Sequence, residues 1–216
     1  MTTRRLVVVS AGLGQPSATR LLADRLTSAT TASLAGAGIE TDVEVIELRE
    51  LARDLVDHLL TGFPSPRLRV AIEHVRGTDG LIAVTPIFNA SYSGLFKVFF
   101  DVLEQDALAG VPVLIGATGG TARHSLALDH AMRPMFAYLD AAVVPTAVFA
   151  ATEDWGSETG GVDGALTDRI ERAARDLVAW MVVRAPMASP DPFADPPEFA
   201  DLLRGVAPEP DQPGVA

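Results

Sequence analysis

A loop of small and hydroxyl-bearing residues near the start of the chain has the composition of an anion-binding segment. Residues 10–20 read SAGLGQPSATR, directly follow the apolar run Leu6–Val9 and precede a stretch with helical spacing. Gly12 and Gly14 let the backbone turn tightly, and serine at position 17 is a favoured N-cap residue. Three side chains of the segment are candidate hydroxyl ligands: Ser10, Ser17 and Thr19. Together with the N–H groups at the start of the following helix, they can bind an anion.

The spacing of this loop indicates which anion to expect. It lacks the third glycine of G-x-G-x-x-G, because position 17 is serine, and no Gly-Lys-Ser/Thr sequence follows as in a Walker loop. We therefore expect a terminal monophosphate rather than a pyrophosphate. An ordinary capped turn without a ligand is the alternative.

A second segment mixes aromatic side chains with amide and hydroxyl groups. Residues 85–94 read TPIFNASYSG, and Thr85-Pro86 ends a predicted strand. Its apolar or aromatic members are Ile87, Phe88 and Tyr92, and its polar members are Asn89, Ser91 and Ser93. Such a surface loop suits a flat, partly polar ring system. For Phe88 and Tyr92 the alternative is a place in the core or in a contact with another subunit.

A third segment, GATGGTARHS at residues 116–125, combines paired glycines with hydrogen-bond donors. Gly119 and Gly120 again indicate a close approach of the backbone to a ligand. Four side chains supply donors: Thr118, Thr121, Arg123 and His124. His124 is a candidate general acid or a binding group, whereas Arg123 is better suited to attract a phosphate-bearing or anionic ligand.

Strands and helices alternate along the chain in a way that places these three segments together. Apolar or alternating runs predict strands at Arg4–Ser10, Thr41–Leu48, Gly80–Thr85, Val111–Ala117 and Ala142–Ala150. Helical spacing predicts helices at Ser17–Leu34, Leu51–Leu60, Leu68–Arg76, Gly94–Leu103, Ser125–Leu139 and Gly164–Val183. Strict alternation predicts an α/β fold, a flavodoxin-like three-layer sandwich with a five-stranded parallel sheet in the order 2-1-3-4-5 and helices on both faces. Ligands of such folds bind beyond the carboxyl ends of the strands, where the three segments lie.

Composition narrows the class of protein. The 216 residues are 48% hydrophobic and carry a net charge of -11, which disfavours nucleic acid and anionic membranes as partners. The absence of cysteine excludes disulfides, thiol catalysis and thiolate metal sites. No leader or membrane span is evident, so we expect a soluble, cytoplasmic protein.

The last part of the chain differs in composition from the rest. We expect one domain at residues 1–185 and a Pro- and Asp-rich C-terminal tail at residues 186–216. The tail is expected to be flexible. The alternative is an arm that packs its apolar residues on a second subunit or on its own domain: Phe193, Phe199, Leu202 and Leu203.

The three loops together resemble the NADPH-dependent FMN reductase family, which has a flavodoxin-like fold. The resemblance lies in three stretches, SAGLGQPSATRLLADRL, TPIFNASYSGLFKVFFDVL and GVPVLIGATGGTARHSLALDHAMRPMFAYL, within residues 4–183. The middle stretch is the most specific. The stretch TGGTARH looks like the actinobacterial branch that is paired with luciferase-like flavin monooxygenases.

The resemblance implies a role for each loop. Ser10, Gly12, Ser17 and Thr19 of the first loop would bind the FMN phosphate. The second would line the ribityl chain and the isoalloxazine with Pro86, Ile87, Phe88 and Asn89. The third would meet the pyrimidine end of the ring with Thr118, Gly119 and Gly120. Weaker candidates for substrate binding are Tyr92, Arg123 and His124.

The first loop departs from the family pattern Gly-Ser-x-Arg. The chain has Ser10-Ala11-Gly12-Leu13 there and no arginine. Arg20, on the first turn of the following helix, is a possible replacement as the charge that balances the phosphate.

The activity that the resemblance implies is hydride transfer from NADPH or NADH to the N5 atom of FMN. The cofactor carries this chemistry, so no catalytic side chain and no metal are expected. Implied partners are a second copy of the chain, in a homodimer or tetramer, and a flavin-dependent monooxygenase that takes the reduced flavin. Three alternatives stay open: a quinone or azo reductase that contains FMN, a flavodoxin-like electron carrier, and an interaction protein that has lost the flavin. An esterase is excluded, because the chain has no G-x-S-x-G elbow.

Overall fold

The computed structural model describes residues 3–155 and 163–184. Within them, strands lie at β1 (Thr3–Ser10), β2 (Glu40–Glu47), β3 (Gly80–Phe88), β4 (Ser91–Tyr92), β5 (Pro112–Gly119), β6 (Ala142–Val143) and β7 (Val148–Ala151). Helices lie at α1 (Ala18–Gly36), α2 (Ala52–Thr61), α3 (Pro66–Arg76), α4 (Gly94–Asp101), α5 (Arg133–Tyr138) and α6 (Asp163–Val183). The tail expected at residues 186–216 lies outside the described residues.

The sheet has the predicted flavodoxin-like topology, with seven strands instead of five. Its order is β2-β1-β3-β5-β6, and β7 pairs with β5 as well. All of these pairs are parallel, whereas β4 is antiparallel to β3. The first four places of the predicted order are thus occupied by the expected strands, and the differences lie in β4 and in the divided fifth strand.

A proline divides the predicted fifth strand into β6 and β7. Pro145 lies between the two parts, and the next N–H that could continue the ladder, that of Thr146, donates to Asp176 Oδ2 at 3.2 Å instead of to β5. The Val144 N–H still donates to the Val113 carbonyl at 2.9 Å. The guanidinium of Arg133 then occupies the carbonyls of Val144, at 3.1 Å, and Pro145, at 3.2 Å. A side chain therefore satisfies two backbone acceptors at the point where the strand is interrupted.

The two faces of the sheet carry separate hydrophobic cores, which explains why the inner strands are continuously apolar. On β1, Leu6 and Val8 pack with residues of α1 and α6, whereas Val7 and Val9 pack with residues of α2 to α5. All four are 3% exposed or less. Each side chain that is fully buried in this way stabilises the fold by about 1.5–3 kcal/mol.

The predicted helix at Ser125–Leu139 is interrupted. Ala122–His124 forms a 3-10 turn, Leu128–Met132 forms a turn of π-helix, and only α5 is α-helical. Pro134 lies in the first turn of α5 and cannot donate a backbone hydrogen bond. A change of hydrogen-bond register just before a proline is the physical reason for the difference.

A cluster of aromatic rings fixes α4 against α5. The Phe100 ring lies 4.8 Å from that of Phe96 and 4.9 Å from that of Phe136, measured between centroids. All three side chains are at most 2% exposed. The helix predicted at Gly94–Leu103 is therefore part of the core of its own domain.

At the amino ends of the parallel strands, a buried arginine joins the beginning of β1 to the end of α6. Arg4 is 5% exposed, lies 3.4 Å from a carboxylate oxygen of Asp79 and donates to the Arg184 carbonyl at 2.7 Å. Asp79 also accepts the Arg5 N–H at 2.8 Å. No helix in the described part of the chain has the length and apolar character needed to cross a lipid bilayer.

Candidate functional site

The strand register brings the three predicted segments to one edge of the sheet. Ser10 at the end of β1 lies opposite Val84 of β3, and Pro86 lies opposite Thr118 of β5. The Ala11 N–H continues the ladder by donating to the Val84 carbonyl at 2.9 Å. The loops that follow β1, β3 and β5 therefore leave from adjacent points.

The first loop is shaped around Ser17, which caps α1 as predicted. Its side-chain oxygen accepts the Arg20 N–H at 3.2 Å. Gly12 approaches this side chain so closely that a Cβ at position 12 would lie 2.1 Å from Ser17 Oγ. Only glycine allows this fold of the loop without a shift of its neighbours.

Three buried hydroxyl groups lie at the two ends of the first loop and at the start of the third. Thr19 Oγ1 of α1 and Thr118 Oγ1 of β5 are 2.8 Å apart, so residues distant in sequence meet directly. Ser10 is fully buried, and its Oγ has no hydrogen-bond partner among the described residues. An unsatisfied buried hydroxyl costs about 1–3 kcal/mol, so Ser10 fits a site that a polar ligand or water completes.

The second segment is a β-hairpin rather than the surface loop that the sequence predicted. β3 continues through Pro86 and Ile87 to Phe88, and Phe88 pairs with Ser91 of β4. The two turn residues, Asn89 and Ala90, have φ angles of 49° and 68°. Two left-handed residues in succession are typical of a type I′ hairpin turn.

The two aromatic rings of the hairpin differ in exposure: Phe88 faces solvent, and Tyr92 packs on the domain. Phe88 is 48% exposed, next to the turn. Tyr92 lies opposite Ile87, is half-buried, and packs on Phe96 with centroids 5.9 Å apart. Below it, Thr85 Oγ1 accepts the Ser93 N–H at 3.1 Å. The exposed Phe88 ring at this edge of the sheet is available for contact with a flat ligand or with another subunit.

The two glycines of the third segment differ in the space beside them: Gly119 is packed against a side chain, and Gly120 is not. A Cβ on Gly119 would lie 2.9 Å from the Phe149 ring, whereas a Cβ on Gly120 would meet nothing within 4 Å. After them, Thr121 caps a 3-10 turn by accepting the Arg123 N–H at 3.4 Å. Within the described residues the Arg123 and His124 side chains have no hydrogen-bond or ion-pair partner, so the structure does not join them to the other candidates.

The arginine expected to balance an anion, Arg20, is held by two carboxylates. Its Nε donates to Asp24 at 2.7 Å, and its Nη1 forms a short ion pair with Glu47 at the end of β2. The side-chain hydrogen bonds with Asp24 and then with Glu47 raise the pKa of Arg20 above its ordinary value, although burial opposes them. Its charge is therefore already neutralised on the protein.

A second arginine, which sequence reasoning missed, contacts the tip of the first loop. Arg49 lies in the 3-10 turn Leu48–Glu50 that follows β2. With the Gln15 amide oriented so that its oxygen faces this guanidinium, that oxygen accepts from Nη1 at 2.8 Å and from Nη2. The register that pairs Ser10 with Glu47 brings the two segments together, and no local pattern in the sequence signals it.

The arrangement fits a flat ligand with a terminal phosphate. The buried Ser10 hydroxyl, the Gly12 cradle and the start of α1 suit the phosphate, and the hairpin and Gly120 leave room for rings. The buried groups are hydroxyls and backbone amides, which bind and orient a ligand but are poor general acids or bases.

Comparison with known proteins points to the same kind of ligand, a flat ring system with a phosphate. Residues 4–156 match the sequence profile of the NADPH-dependent FMN reductase family. The chain is 35% identical over 185 residues to the NADH-dependent FMN reductase SfnF of Pseudomonas putida, covering 86% of this chain and 96% of SfnF. It is 37% identical over 151 residues to the FMN reductase (NADPH) of Pseudomonas aeruginosa, covering 70% of this chain and 78% of that one. The solved structure of an oxidoreductase from Corynebacterium diphtheriae superposes with a TM-score of 0.82 at 46% identity, covering 86% of this chain and 100% of that one.

Proposed function

The chain belongs to the NADPH-dependent FMN reductase family, and from that premise we propose that it transfers hydride from NADPH or NADH to FMN. Two observations at the carboxyl ends of the strands carry the proposal: the contact of the Thr19 and Thr118 hydroxyls, and the buried hydroxyl of Ser10 that has no partner among the described residues. The names of the relatives, NADH- and NADPH-dependent FMN reductases, support it.

The first loop would hold the phosphate of FMN. Ser17 Oγ already accepts the Arg20 N–H, so its own hydrogen is available to donate to a phosphate oxygen. In the pair of Thr19 and Thr118 one hydroxyl hydrogen lies between the two oxygens and the other is available to a ligand. Ser10 Oγ would gain the partner that it lacks, and Gly12 lets the backbone come close.

The second and third segments would place the rest of the cofactor. In the proposal, the strand end Pro86–Phe88 and the turn residue Asn89 line the ribityl chain and one side of the ring. Thr118, Gly119 and Gly120 lie along the pyrimidine end. Backbone N–H groups at the end of β5 would stabilise the negative charge that develops there as the ring accepts electrons.

FMN held by these residues would supply the two-electron acceptor for one hydride from the nicotinamide, with the balancing proton from water. The protein holds the two rings in contact, which removes much of the entropic barrier. Tyr92, Arg123 and His124 border the open side of the site in this proposal. Arg123 and His124 have no side-chain partner among the described residues and suit contact with the anionic nucleotide.

We also propose how the reduced flavin is used and where. It is delivered to a flavin-dependent monooxygenase, in the cytoplasm, where reduced nicotinamide nucleotides are available. Residues 1–185 form the reductase domain, and residues 186–216 are a separate tail. The packing of α6, which ends at Val183, in the same hydrophobic core as α1 supports the division.

A homodimer or tetramer is part of the proposal. Between α4 and α5 lies a groove of 630 Å³, bordered by Tyr92, Phe100, His130 and Tyr138. Tyr138 is 74% exposed, a large fraction for an aromatic side chain. A second copy that covered this groove would also lie near the hairpin with Phe88. The molecular mass in solution, measured by light scattering, tests the association.

The function is tested with an anaerobic titration of the purified protein. FMN is added, its binding is followed by absorbance, and NADPH or NADH is then mixed in. Rapid bleaching of the flavin band at a rate that depends on the nucleotide supports the reductase. Bound flavin that neither nucleotide reduces would indicate an electron carrier, and absence of binding would contradict the proposal. Turnover with a quinone or an azo dye in place of free FMN distinguishes those reductases.

A further inference from the structure

The first loop poses an electrostatic problem for a phosphate ligand. FMN carries a phosphate monoester with close to two negative charges, and the chain has a net charge of -11. A dianion that approaches such a protein needs a local cation. The loop itself, residues 11–17, contains no lysine or arginine.

The arginines of α1 do not meet this need. Arg20 is paired with Asp24 and Glu47, so the three side chains together carry one net negative charge. Arg25 lies over the Trp155 ring, 5.1 Å from its centroid. Neither guanidinium is available without breaking a contact.

Arg49 differs from both in its partner. Gln15, at the tip of the loop, is neutral, so the contact fixes the guanidinium without cancelling its charge. Within residues 3–155 and 163–184 no carboxylate forms an ion pair with Arg49. The adjacent Glu50 instead pairs with Arg67, at 3.7 Å. The side chain is half-buried, where charge is screened less than on an open surface.

We propose that Arg49 supplies the positive charge that balances the flavin phosphate. The assignment rests on the proposed function. It makes Arg49, and not Arg20, the residue that distinguishes FMN from flavins without the phosphate. Gln15 is then a positioning residue that keeps the guanidinium against the loop.

The test compares two ligands that differ only in the phosphate. Dissociation constants for FMN and for riboflavin are measured by fluorescence titration of the whole protein without nicotinamide nucleotide. For Arg49→Gln we expect affinity for FMN to fall roughly tenfold and affinity for riboflavin to change less than about twofold, since a charge-assisted contact is lost only with the phosphate. Added salt should weaken FMN binding less in this variant than in the wild type.

Two further variants separate charge from structure. Arg49→Lys keeps the charge and should retain most of the preference for FMN over riboflavin. Arg69→Gln removes an exposed arginine of α3 without a described ion pair, and it should leave both affinities as in the wild type. An equal loss for FMN and riboflavin in Arg49→Gln, or no loss for either, would overturn the assignment.

The remaining outcomes are also decisive. If Arg49→Gln left the flavin affinities unchanged and raised KM for NADPH but not for NADH, the guanidinium would serve the nucleotide phosphate, and the assignment would be wrong. Wild-type protein that bound neither flavin would overturn the proposed function together with this inference. If the wild-type protein bound and reduced FMN, and Arg49→Gln had the same dissociation constants for FMN and riboflavin as the wild type, the inference alone would be overturned.

Discussion

The close contact between Gly12 and Ser17 yields a quantitative prediction for Gly12→Ala. The new Cβ would lie 2.1 Å from Ser17 Oγ and 3.2 Å from the Cβ atoms of Ser17 and Thr19. Ser17 can escape the first contact only by rotating its hydroxyl away from the Arg20 N–H, which it now caps at 3.2 Å. Loss of an N-cap costs about 1 kcal/mol, or roughly 2–4 °C in Tm for a chain of this size.

The matched control is Gly120→Ala, in the third loop. Its Cβ would meet nothing within 4 Å, and Gly120 has no left-handed φ. Both variants restrict the unfolded chain equally, an effect of about 0.4–1 kcal/mol in favour of the folded state. The difference between the two free energies of unfolding, measured with urea on ligand-free protein at one protein concentration, therefore isolates the contact with Ser17.

A double variant tests the mechanism itself. In a Ser17→Ala background the cap is already lost, so Gly12→Ala should cost less than about half of what it costs in the wild type. The reasoning would be refuted by additive costs, or by a Gly12→Ala variant as stable as Gly120→Ala.

Two further predictions concern buried polar groups and are measured as free energies of unfolding. Thr118→Val removes the partner of the Thr19 hydroxyl and should cost about 1–3 kcal/mol, and adding Thr19→Val should recover part of that loss; additive losses would contradict this. Asp79→Asn leaves the buried Arg4 guanidinium without its counter-charge and should cost about 3–5 kcal/mol, whereas Asp57→Asn on the exposed side of α2 should change stability by less than about 0.5 kcal/mol. Similar stabilities for the two asparagine variants would refute a structural role for the Arg4–Asp79 pair.

The fold was predictable because its strongest signals are local. A strand buried on both faces needs an unbroken apolar run, and Leu6–Val9 and the residues around Ile82 and Leu114 provide such runs. The family was confirmed by the match over residues 4–156. The order of the first four strands, β2-β1-β3-β5, then followed from the flavodoxin-like topology.

The errors in the fold arose where single residues interrupt a longer pattern. Pro145 divides the fifth strand, and Pro134 accompanies the π-helical turn, although the surrounding apolar residues continue the period. The hairpin was missed because its turn is Asn89-Ala90. Alanine at the second left-handed position gives a weaker signal than the glycine usual there.

The site was predictable only as far as its parts lie within one loop each. Ser17 was identified as a cap from its place before a helix, and the structure bears this out. The contact of Thr19 with Thr118 and the pairing of Arg20 with Glu47 depend on strand register over distances of 99 and 27 residues. No single segment encodes such contacts, and the contact of Arg49 with Gln15 likewise depends on the pairing of β1 with β2. The roles in flavin binding assigned to the site residues stay predictions.

The bond from Arg4 to the carbonyl of Arg184 has a practical consequence for the connectivity of the chain. It brings the first described strand and the end of the last described helix together, at the edge of the sheet opposite the three loops. A short linker could therefore join the two ends, and new termini could be opened elsewhere, as in a circular permutant. A reporter domain fused after Arg184 would likewise start about the length of one strand, roughly 25 Å, from the three loops.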